Sequence, residues 1–388
     1  MPWRTATVPN ERARFVLEAQ ETFLSFSELC RRYGISRRTG YKWLSRFDGN
    51  LDNLADRSRR PSGCSHATAP EVVERVLQLR RSRGWGARKL RRLLRDELEH
   101  VPSVDTIHRI LQRHDLVDRP RKPRRRRGDP LMRTTPSHEP NAVWTADFKG
   151  EFRTVDGQLC YPLTVQDGFS RFLLDCKGFP NLQTAPVIRR FDYLFRTFGM
   201  PDVIRTDNGH PFCSPVGLGG LSQLSVHWIK LGIRPERIDR GKPQQNGRHE
   251  RMHRTLKART TRPAGQNLRC QQRRFNRFRQ IFNHERPHEA LDLETPASCY
   301  RSSDRSRPAI AKTPQYPDHF EVRKVAQDKT IRWKNRKVCV SQLLRYEYIG
   351  LEEIAEEVWS VFYGPVQLGW LDERDFRIMD TLGAQRYR

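Results

Sequence analysis

The sequence predicts a multidomain protein with all-α helix-turn-helix domains, then an α/β core with a mixed sheet, then a small all-β C-terminal domain. Three observations lead to this fold class. Up to about residue 118, apolar residues recur at helical spacing and leave basic faces. From residue 141, alternating strand patterns are followed by helices and strands in turn. After residue 315, short alternating runs turn at Gly and Pro. The predicted segments are 1–60 and 61–118 (helix-turn-helix domains), 119–140 (basic linker), 141–300 (α/β core), 301–315 (linker) and 316–388 (β-rich domain).

The chain is strongly basic. Its 388 residues include 72 Lys and Arg against 45 Asp and Glu, which gives a formal net charge of +27. An imbalance of this size is typical of proteins that bind a polyanion, and DNA is the first candidate. A membrane partner is not expected, because no apolar run approaches the roughly 20 residues that cross a bilayer. The eight cysteines are scattered without a CxxC pair, which is typical of reduced thiols in the cytoplasm.

Residues 10–47 are predicted to form three short helices. Ser27 can cap the second helix, Gly34 can end it, and Ser36 can cap the third. Two helices joined by a tight turn with glycine are typical of a helix-turn-helix domain, whose second helix enters the major groove of DNA.

The third of these helices carries the predicted DNA-binding face. Tyr41, Leu44 and Phe47 are expected to face inward, and Gly40 is expected to cost the helix about 1 kcal/mol relative to Ala. The outward cations, which we predict to contact DNA, are Arg37, Arg38, Lys42 and Arg46. The alternative is an ordinary helical pair with a solvated basic face.

A second three-helix unit follows. Thr68 and Glu71 have the spacing of a capping box, residues 84–86 (Gly-Trp-Gly) break the chain, and a further helix is expected from Ser103. This unit is either a second DNA reader or a packing module. Residues 119–136 combine prolines with like charges, which predicts an extended linker.

The core segment begins with predicted strands. The run from Asn141 alternates, residues 156–157 (Asp-Gly) indicate a hairpin, and LCYPLTVQD and FSRFLLD are the next strands. A helix over 184–198 is followed by a strand that ends at Asp207, a helical stretch around 218–229 and another strand, IRPERI. A polar loop, GKPQQNG, then precedes a long charged helix that reaches about residue 262.

Three acids lie at informative places in these elements. Asp147 interrupts an apolar strand, Asp207 ends a strand, and Glu250 lies on the helix after the next strand. A carboxylate in a half-buried strand is costly unless it is paired, hydrogen-bonded or bound to a metal. Carboxylate oxygens suit Mg²⁺ or Mn²⁺, and three together can hold two ions that assist attack and departure in phosphoryl transfer. Three unrelated acids remain the alternative from spacing alone.

The flanking sequence blocks are more specific than the acids. WTADF, RTDNGHPF and GKPQQNGRHERMHRTLK resemble the integrase core of the DDE transposases of bacterial insertion sequences, a fold shared with retroviral integrase (RNase H-like). The later blocks NHERPHEAL and TPASCY resemble the segment that follows in this family. The resemblance implies that Asp147, Asp207 and Glu250 are both the catalytic residues and the ligands of two Mg²⁺ or Mn²⁺ ions. Asp147 and Asp207 would share one ion, and Asp147 and Glu250 the other.

The resemblance also implies an active-site loop and DNA contacts. The loop residues are Asn208, Gly209, Gln245, Asn246 and Gly247, and the cations expected to meet phosphates are Arg254 and Lys257, on the helical face of Glu250. The chain departs from the family in two places. Forty-two residues separate Asp207 from Glu250, which predicts an inserted loop or helix, and His210 stands where relatives often lack a titratable side chain.

The function implied is a transposase that binds the terminal repeats of a mobile element, cleaves DNA and joins it to target DNA. Integration and recombination of this kind require at least a dimer of the chain in the synaptic complex, in the bacterial cytoplasm near the nucleoid. Two alternatives stay open. One is a catalytically inactive DNA-binding regulator derived from a transposase. The other is a zinc metallopeptidase, because residues 249–253 (HERMH) satisfy HExxH.

Overall fold

A computed structural model of the chain describes residues 8–21, 23–56, 67–117, 134–215, 217–239 and 241–381. Most of the predicted linker 119–136 lies outside these residues. The chain divides into two compact units, Met1–Val72 and Val73–Arg388. The order of helical segments, mixed sheet and C-terminal β-sheet confirms the predicted fold class. No helix within the described ranges is long and apolar enough to cross a membrane.

The first unit contains the three predicted short helices. They are α1 (Val8–Glu21), α2 (Phe26–Arg32) and α3 (Arg37–Leu44). Ser36 caps α3 as predicted, since its side chain accepts a hydrogen bond from the backbone N–H of Thr39. The prediction that Ser27 caps α2 was wrong: Ser25 is the cap, and it forms a reciprocal capping box with Glu28.

The inner face of α3 also differs from the prediction. Trp43 is buried, whereas Tyr41 is exposed, because the helix turns its 40/43 edge toward α1 and α2. Gly40 is a packing requirement rather than a fault: a Cβ at this position would lie 2.8 Å from Cys30 Sγ and 2.9 Å from a Phe26 ring carbon. The close approach of the helices therefore depends on this glycine.

Three further helices form around a common apolar core. They are α4 (Pro70–Arg83), α5 (Ala87–Leu94) and α6 (Val104–Arg113). Ser103 caps α6, as predicted. The core includes Leu90, Leu94 and Ile107, and Ile281 of the next domain packs against it. This part of the second unit is therefore attached to the integrase-like core by apolar contact.

The central sheet has six strands. They are β1 (Val143–Phe148), β2 (Phe152–Arg153), β3 (Leu159–Asp167), β4 (Leu173–Phe179), β5 (Val203–Thr206) and β6 (Arg234–Arg237), in the order β2-β3-β1-β5-β6 with β4 also paired to β3. The first four strands pair antiparallel, and β5 and β6 add in parallel. The predicted strand FSRFLLD begins later, at Leu173, because the Asp167 carboxylate accepts hydrogen bonds from the backbone N–H and the hydroxyl of Ser170 in a turn, and Arg171 has a φ of 65°.

Helices cover the sheet. They are α7 (Thr184–Phe198), α8 (Gln223–Lys230), α9 (Gly247–Thr260), α10 (Leu268–His284) and α11 (Pro296–Cys299). α7 has the predicted bounds, and its buried residues Val187, Phe191 and Leu194 pack with Trp144 and Trp228. On the other side, α9 and α10 share a second core with β3 and β4. The predicted polar loop before α9 contains a short 3₁₀ turn, Pro243–Asn246.

The C-terminal segment is all-β, as predicted. A five-stranded antiparallel sheet contains β7 (Glu321–Lys324), β10 (Tyr348–Ala355), β11 (Val358–Tyr363), β12 (Val366–Asp372) and β13 (Arg377–Asp380); the hairpin of β8 (Thr330–Trp333) and β9 (Arg336–Cys339) lies beside it. Leu218, Leu221 and Ile229, from the segment between β5 and β6, belong to the same apolar core as this sheet. The predicted insertion after Asp207 thus packs against the C-terminal domain.

Candidate active site

The register of the central sheet brings two of the three acids together. β1 and β5 run parallel, with Ala146 opposite Thr206. The next residues are Asp147, the fifth residue of β1, and Asp207, directly after β5. Neighbouring strands lie about 4.8 Å apart, so the two carboxylates are attached to adjacent points at one end of the sheet.

Helix α9 brings the third acid to this place. Its buried face consists of His249, Met252, His253 and Leu256, a spacing of three or four residues that turns one stripe of the helix toward the sheet. Glu250 follows the first of these residues and is exposed, so its carboxylate borders the buried stripe. Its charge acts on Asp147, which places the two acids near one another.

The electrostatics of Asp147 show how closely the acids are grouped. Burial first, and then the charges of Asp207 and Glu250, raise the pKa of the Asp147 carboxyl to about 7, while Lys149 opposes them. A carboxylate whose ionisation is disfavoured by burial and by like charges is stabilised by a cation. The three oxygen donors therefore fit a hard divalent ion.

A hydrogen-bonded network lies directly behind Asp147. The hydroxyl of Thr164 on β3 contacts the backbone oxygen of Asp147 at 3.1 Å and the Nε2 atoms of His249 and His253, each at 2.6 Å. His249 Nδ1 contacts the Thr145 hydroxyl at 2.9 Å. His253 Nδ1 lies 3.5 Å from Asp147 Oδ2. Burial lowers the pKa of His249 to about 3, so this imidazole is neutral.

The network bears on the HExxH interpretation. In that motif both histidines would present nitrogen atoms to zinc, with the intervening Glu250 beside it. Here the Nε2 atoms of both histidines are directed at Thr164. Only Asp147 groups with them as a possible ligand set among the described residues. The helix is therefore anchored to the sheet through the two Nε2 atoms, which the peptidase motif would direct at zinc.

The predicted loop residues occupy different positions around the acids. Asn208 donates to the Ile238 carbonyl at 2.8 Å, and the Gly209 N–H donates to Asp207 Oδ1 at 3.1 Å. Both hold the turn after β5. Gln245 is buried and bonds the backbone N–H and the carboxylate of Asp239, so it shapes the loop before α9. Asn246 is buried, and Gly247 is the first residue of α9.

The predicted DNA-contacting cations belong to both units of the chain. Arg254 and Lys257 are exposed on α9 on the side of Glu250. On α3, Arg37, Arg38 and Lys42 are exposed and Arg46 is half-buried. The guanidinium of Arg46 stands 4.8 Å from the centre of the Trp43 ring, so this side chain is partly committed to packing.

Sequence reasoning missed a group of basic residues, here called the basic cluster, formed by Lys89 on α5, Arg171 before β4, and Arg286 and His288 after α10. Burial and the charge of Arg286 lower the pKa of Lys89 to about 8, opposed by Glu289. Burial and the three cationic neighbours lower the pKa of His288 to about 3. Arg286 Nε and His288 Nε2 are buried without a hydrogen-bond partner. The members of the basic cluster come from three segments that are far apart in the sequence. Only the RPH of the block NHERPHEAL, residues 286–288, could have indicated the cluster from the sequence.

Four family models match parts of the chain. Two family models described as an integrase core domain match residues 137–243 and 231–296. A helix-turn-helix domain model matches residues 11–62, and a homeodomain-like domain model matches residues 39–111.

Similar proteins include two from bacterial insertion elements. An uncharacterized 39.2 kDa protein of insertion element IS476 from Xanthomonas euvesicatoria is 29% identical over 188 residues, 48% of this chain and 50% of that protein. A 31.7 kDa protein of IS407 from Burkholderia multivorans is 28% identical over 242 residues, 61% of this chain and 82% of that protein. The Gag-Pol polyprotein of baboon endogenous virus is 32% identical over 132 residues, 33% of this chain and 7% of the polyprotein. The match thus spans about half of the first relative and a small part of the polyprotein.

Two solved structures are among those that match the chain. The catalytic core domain of HTLV-2 integrase in complex with magnesium is 17% identical with a TM-score of 0.34, covering 42% of this chain and 99% of that one. A chain of the simian T-cell lymphotropic virus intasome in complex with PP2A regulatory subunit B56 gamma is 15% identical with a TM-score of 0.37, covering 75% of this chain and 97% of that one. The family models therefore assign helix-turn-helix domains to the first part of the chain and an integrase core domain to residues 137–296, and the chain is similar to proteins encoded by bacterial insertion elements.

Proposed function

We propose that this protein is a DDE transposase that binds the ends of a mobile element and catalyses metal-dependent cleavage and strand transfer of DNA. One observation carries the proposal: the parallel register of β1 and β5 sets Asp147 beside Asp207, and α9 adds Glu250 within electrostatic reach of Asp147. Three carboxylates brought to one end of a mixed sheet are a candidate site for divalent cations.

The residues that would hold the metal are the three acids, with Asp147 shared between two Mg²⁺ or Mn²⁺ ions. Integrase-like cores generally use a divalent metal, which when bound supplies Lewis-acid stabilisation of the charge on the phosphate oxygens. The chain itself fixes Asp147 and Asp207 on the rigid sheet. It holds Glu250 on a helix that Thr164 and the two histidines fasten to that sheet.

The proposed reaction needs no external source of energy. Water attacks a phosphorus atom at the element end, the bond from phosphorus to the 3′ oxygen breaks, and a 3′-hydroxyl is released. That hydroxyl then attacks a phosphorus atom of the target DNA, so that one phosphodiester bond forms as another breaks. Because two element ends must be joined together, we propose at least a dimer of the chain in the synaptic complex.

The decisive experiment is cleavage and joining of DNA. Full-length protein is mixed with Mg²⁺ and labelled terminal DNA of the element that carries the gene. We expect Asp147→Asn and Glu250→Gln to reduce both reactions at least about 10³-fold, because each variant removes a negative charge that would bind the metal ion. The matched control is Glu151→Gln, an exposed acid just before β2, which should leave both reactions unchanged.

The outcome separates the transposase from an inactive regulator. An inactive regulator would bind the terminal DNA but would not cleave it in the presence of Mg²⁺ or Mn²⁺. Equal cleavage by the wild-type protein and by both acid variants would show that the chemistry lies elsewhere and would reject the proposed centre.

We propose that DNA is contacted by α3 in the first unit, by Arg254 and Lys257 on α9, and by the basic cluster. The basic cluster supports phosphate binding because the charges of Lys89 and Arg286 repel one another. A bound phosphate would offset this repulsion.

Lys89→Met is expected to weaken DNA binding about three- to tenfold in 0.1 M salt and to lower the salt-dependence slope by about one. The loss should shrink as pH rises, because the free-state pKa of Lys89 is about 8 and the neutral amine does not attract phosphate. Fluorescence anisotropy against salt at pH 7 and pH 9 measures both effects. Lys337→Met is the control, since it removes the same charge from a lysine that is paired with Asp328 at 2.9 Å. Equal losses in the two variants would show that only net charge matters.

A further inference from the structure

In the imidazole of His253, Nε2 has a hydrogen-bond partner, whereas Nδ1 faces a carboxylate oxygen. Thr164 has one hydroxyl proton and three contacts: the backbone oxygen of Asp147 and the Nε2 atoms of His249 and His253. A carbonyl oxygen only accepts, so all three contacts are satisfied when the hydroxyl donates to it and both imidazoles donate from Nε2. Each histidine then carries its lone pair on Nδ1.

The two Nδ1 atoms have different surroundings. Nδ1 of His249 faces the hydroxyl of Thr145 at 2.9 Å, which can donate to it. Nδ1 of His253 faces Oδ2 of Asp147 at 3.5 Å, and an ionised carboxylate has no proton to give. When Asp147 is ionised, two lone pairs therefore face one another between Nδ1 of His253 and Oδ2 of Asp147.

The separation of these two atoms fits a shared cation. Nitrogen and carboxylate ligands of a transition metal lie about 2.1 Å from it, so two of them 3.5 Å apart would subtend an angle of about 110°. This is close to the tetrahedral value and within the range of a distorted octahedron. Asp147 Oδ2, His253 and His249 are also the one group of possible ligand residues with converging atoms among the described parts of the chain.

We propose that His253 is a nitrogen ligand, through Nδ1, of the divalent ion that Asp147 holds. The proposal rests on the proposed metal-dependent function and adds imidazole to its carboxylate donors. A mixed nitrogen and oxygen site prefers Mn²⁺, Co²⁺ or Zn²⁺ over Mg²⁺, because Mg²⁺ favours oxygen. The site would therefore select its metal through a residue outside the three acids.

The test is the electron spin echo spectrum of Mn²⁺ bound to the full-length protein. Coupling of the ion to a directly bound imidazole gives nitrogen modulation of the echo. We expect this modulation from wild-type protein, and we expect the ¹⁴N pattern to be replaced by a ¹⁵N pattern when the protein is made with ¹⁵N-histidine. The isotope experiment changes no residue, so its result does not depend on the folding of a variant.

Two histidine variants then locate the nitrogen. His253→Gln should abolish the modulation and weaken Mn²⁺ binding about tenfold, with a change in Mg²⁺ binding of less than about threefold. His249→Gln removes an equally buried imidazole from the same helix face and should keep the modulation. Circular dichroism checks that both variants are folded. Modulation that survives His253→Gln, or is absent from wild-type protein with bound Mn²⁺, would overturn the proposal.

Asp147→Asn distinguishes failure of this inference from failure of the proposed function. If Mn²⁺ binding depends on Asp147 and histidine nitrogen coupling is absent, the carboxylate centre stands and His253 is not its ligand. If Mn²⁺ binds equally well to Asp147→Asn, the ion does not occupy the acidic site, and both proposals are rejected.

Discussion

Asp147→Asn is expected to make the metal-free protein more stable, although it removes the acid on which we propose DNA cleavage depends. The folded carboxyl has a pKa of about 7 against an ordinary value of 3.8, first because it is buried and then because Asp207 and Glu250 carry like charges. Ionising it at neutral pH therefore opposes folding. This difference in pKa corresponds to a destabilisation of the folded state by at most about 4 kcal/mol. We therefore expect Asp147→Asn to increase the free energy of unfolding by about 1–4 kcal/mol.

The pH dependence follows from the sign of this shift. The folded state binds the proton more tightly than the unfolded state, so the cost of Asp147 is absent below about pH 4. It grows between about pH 4 and pH 7 and is complete above pH 7. Asn cannot ionise, so the stability gained by the variant should appear over the same interval.

Urea denaturation in the presence of a chelator, at pH 5 and at pH 8, measures this effect. The gain should be larger at pH 8, and added Mn²⁺ should stabilise wild-type protein much more than the variant. A variant less stable than the wild type at pH 8 would show that Asp147 makes stabilising contacts which outweigh the repulsion, and would contradict the electrostatic description of the site.

Thr164→Val is expected to lower the free energy of unfolding by about 2–4 kcal/mol. The substitution keeps the shape of a fully buried side chain and removes one oxygen atom. That oxygen serves the backbone oxygen of Asp147 and both buried histidines. Leaving buried donors without an acceptor costs about 1–3 kcal/mol each, and a change of tautomer at His249 toward Thr145 recovers part of this.

The matched control is Thr260→Val, on the buried face of α9. Its hydroxyl donates to the Leu256 carbonyl at 2.8 Å, so the variant loses a single bond within the helix and should cost about 1 kcal/mol or less. Urea denaturation gives both values, and hydrogen exchange of α9 shows whether the helix loosens on the sheet. Equal costs for the two variants would mean that the network does not fasten α9.

Periodicity in the sequence accounts for much of the fold. The helix 184–198 and the strand LCYPLTVQD are found with their predicted bounds, because each has a clear apolar pattern and a turn or glycine at its end. Caps and inner faces were less certain. Ser25 and Ser27 are equivalent by residue type, and only the position of Glu28 as the partner of Ser25 decides between them. Trp43, and not Tyr41, lies in the core, because the buried face of α3 is decided by its contacts with α1 and α2. The pattern within α3 alone does not show these contacts.

The candidate site was predictable only in part. The strand and helix positions of Asp147, Asp207 and Glu250 follow from local pattern, whereas their approach depends on the parallel pairing of β1 with β5, which short-range periodicity does not encode. The sequence showed His249 and His253 only as part of an HExxH motif, which is typical of zinc peptidases and does not predict that the two side chains are buried against the sheet. Their contacts with Thr164 join residues more than eighty positions apart, so no local spacing reveals them.

The segment after Asp207 has a consequence for how this protein can be divided or recombined. Leu218 and Leu221 complete the apolar core of the C-terminal sheet, and the Gly219 N–H donates to Asp380 at 3.2 Å. Lys230 on α8 pairs with Glu347 at 2.7 Å. A fragment cut within the predicted linker 301–315 would expose this apolar surface, which begins at Leu218, nine residues after Gly209. Exchange of the C-terminal domain between homologues should therefore succeed only when residues 217–231 are exchanged with it. The unit that can be exchanged is thus made of two segments that are separate in the sequence.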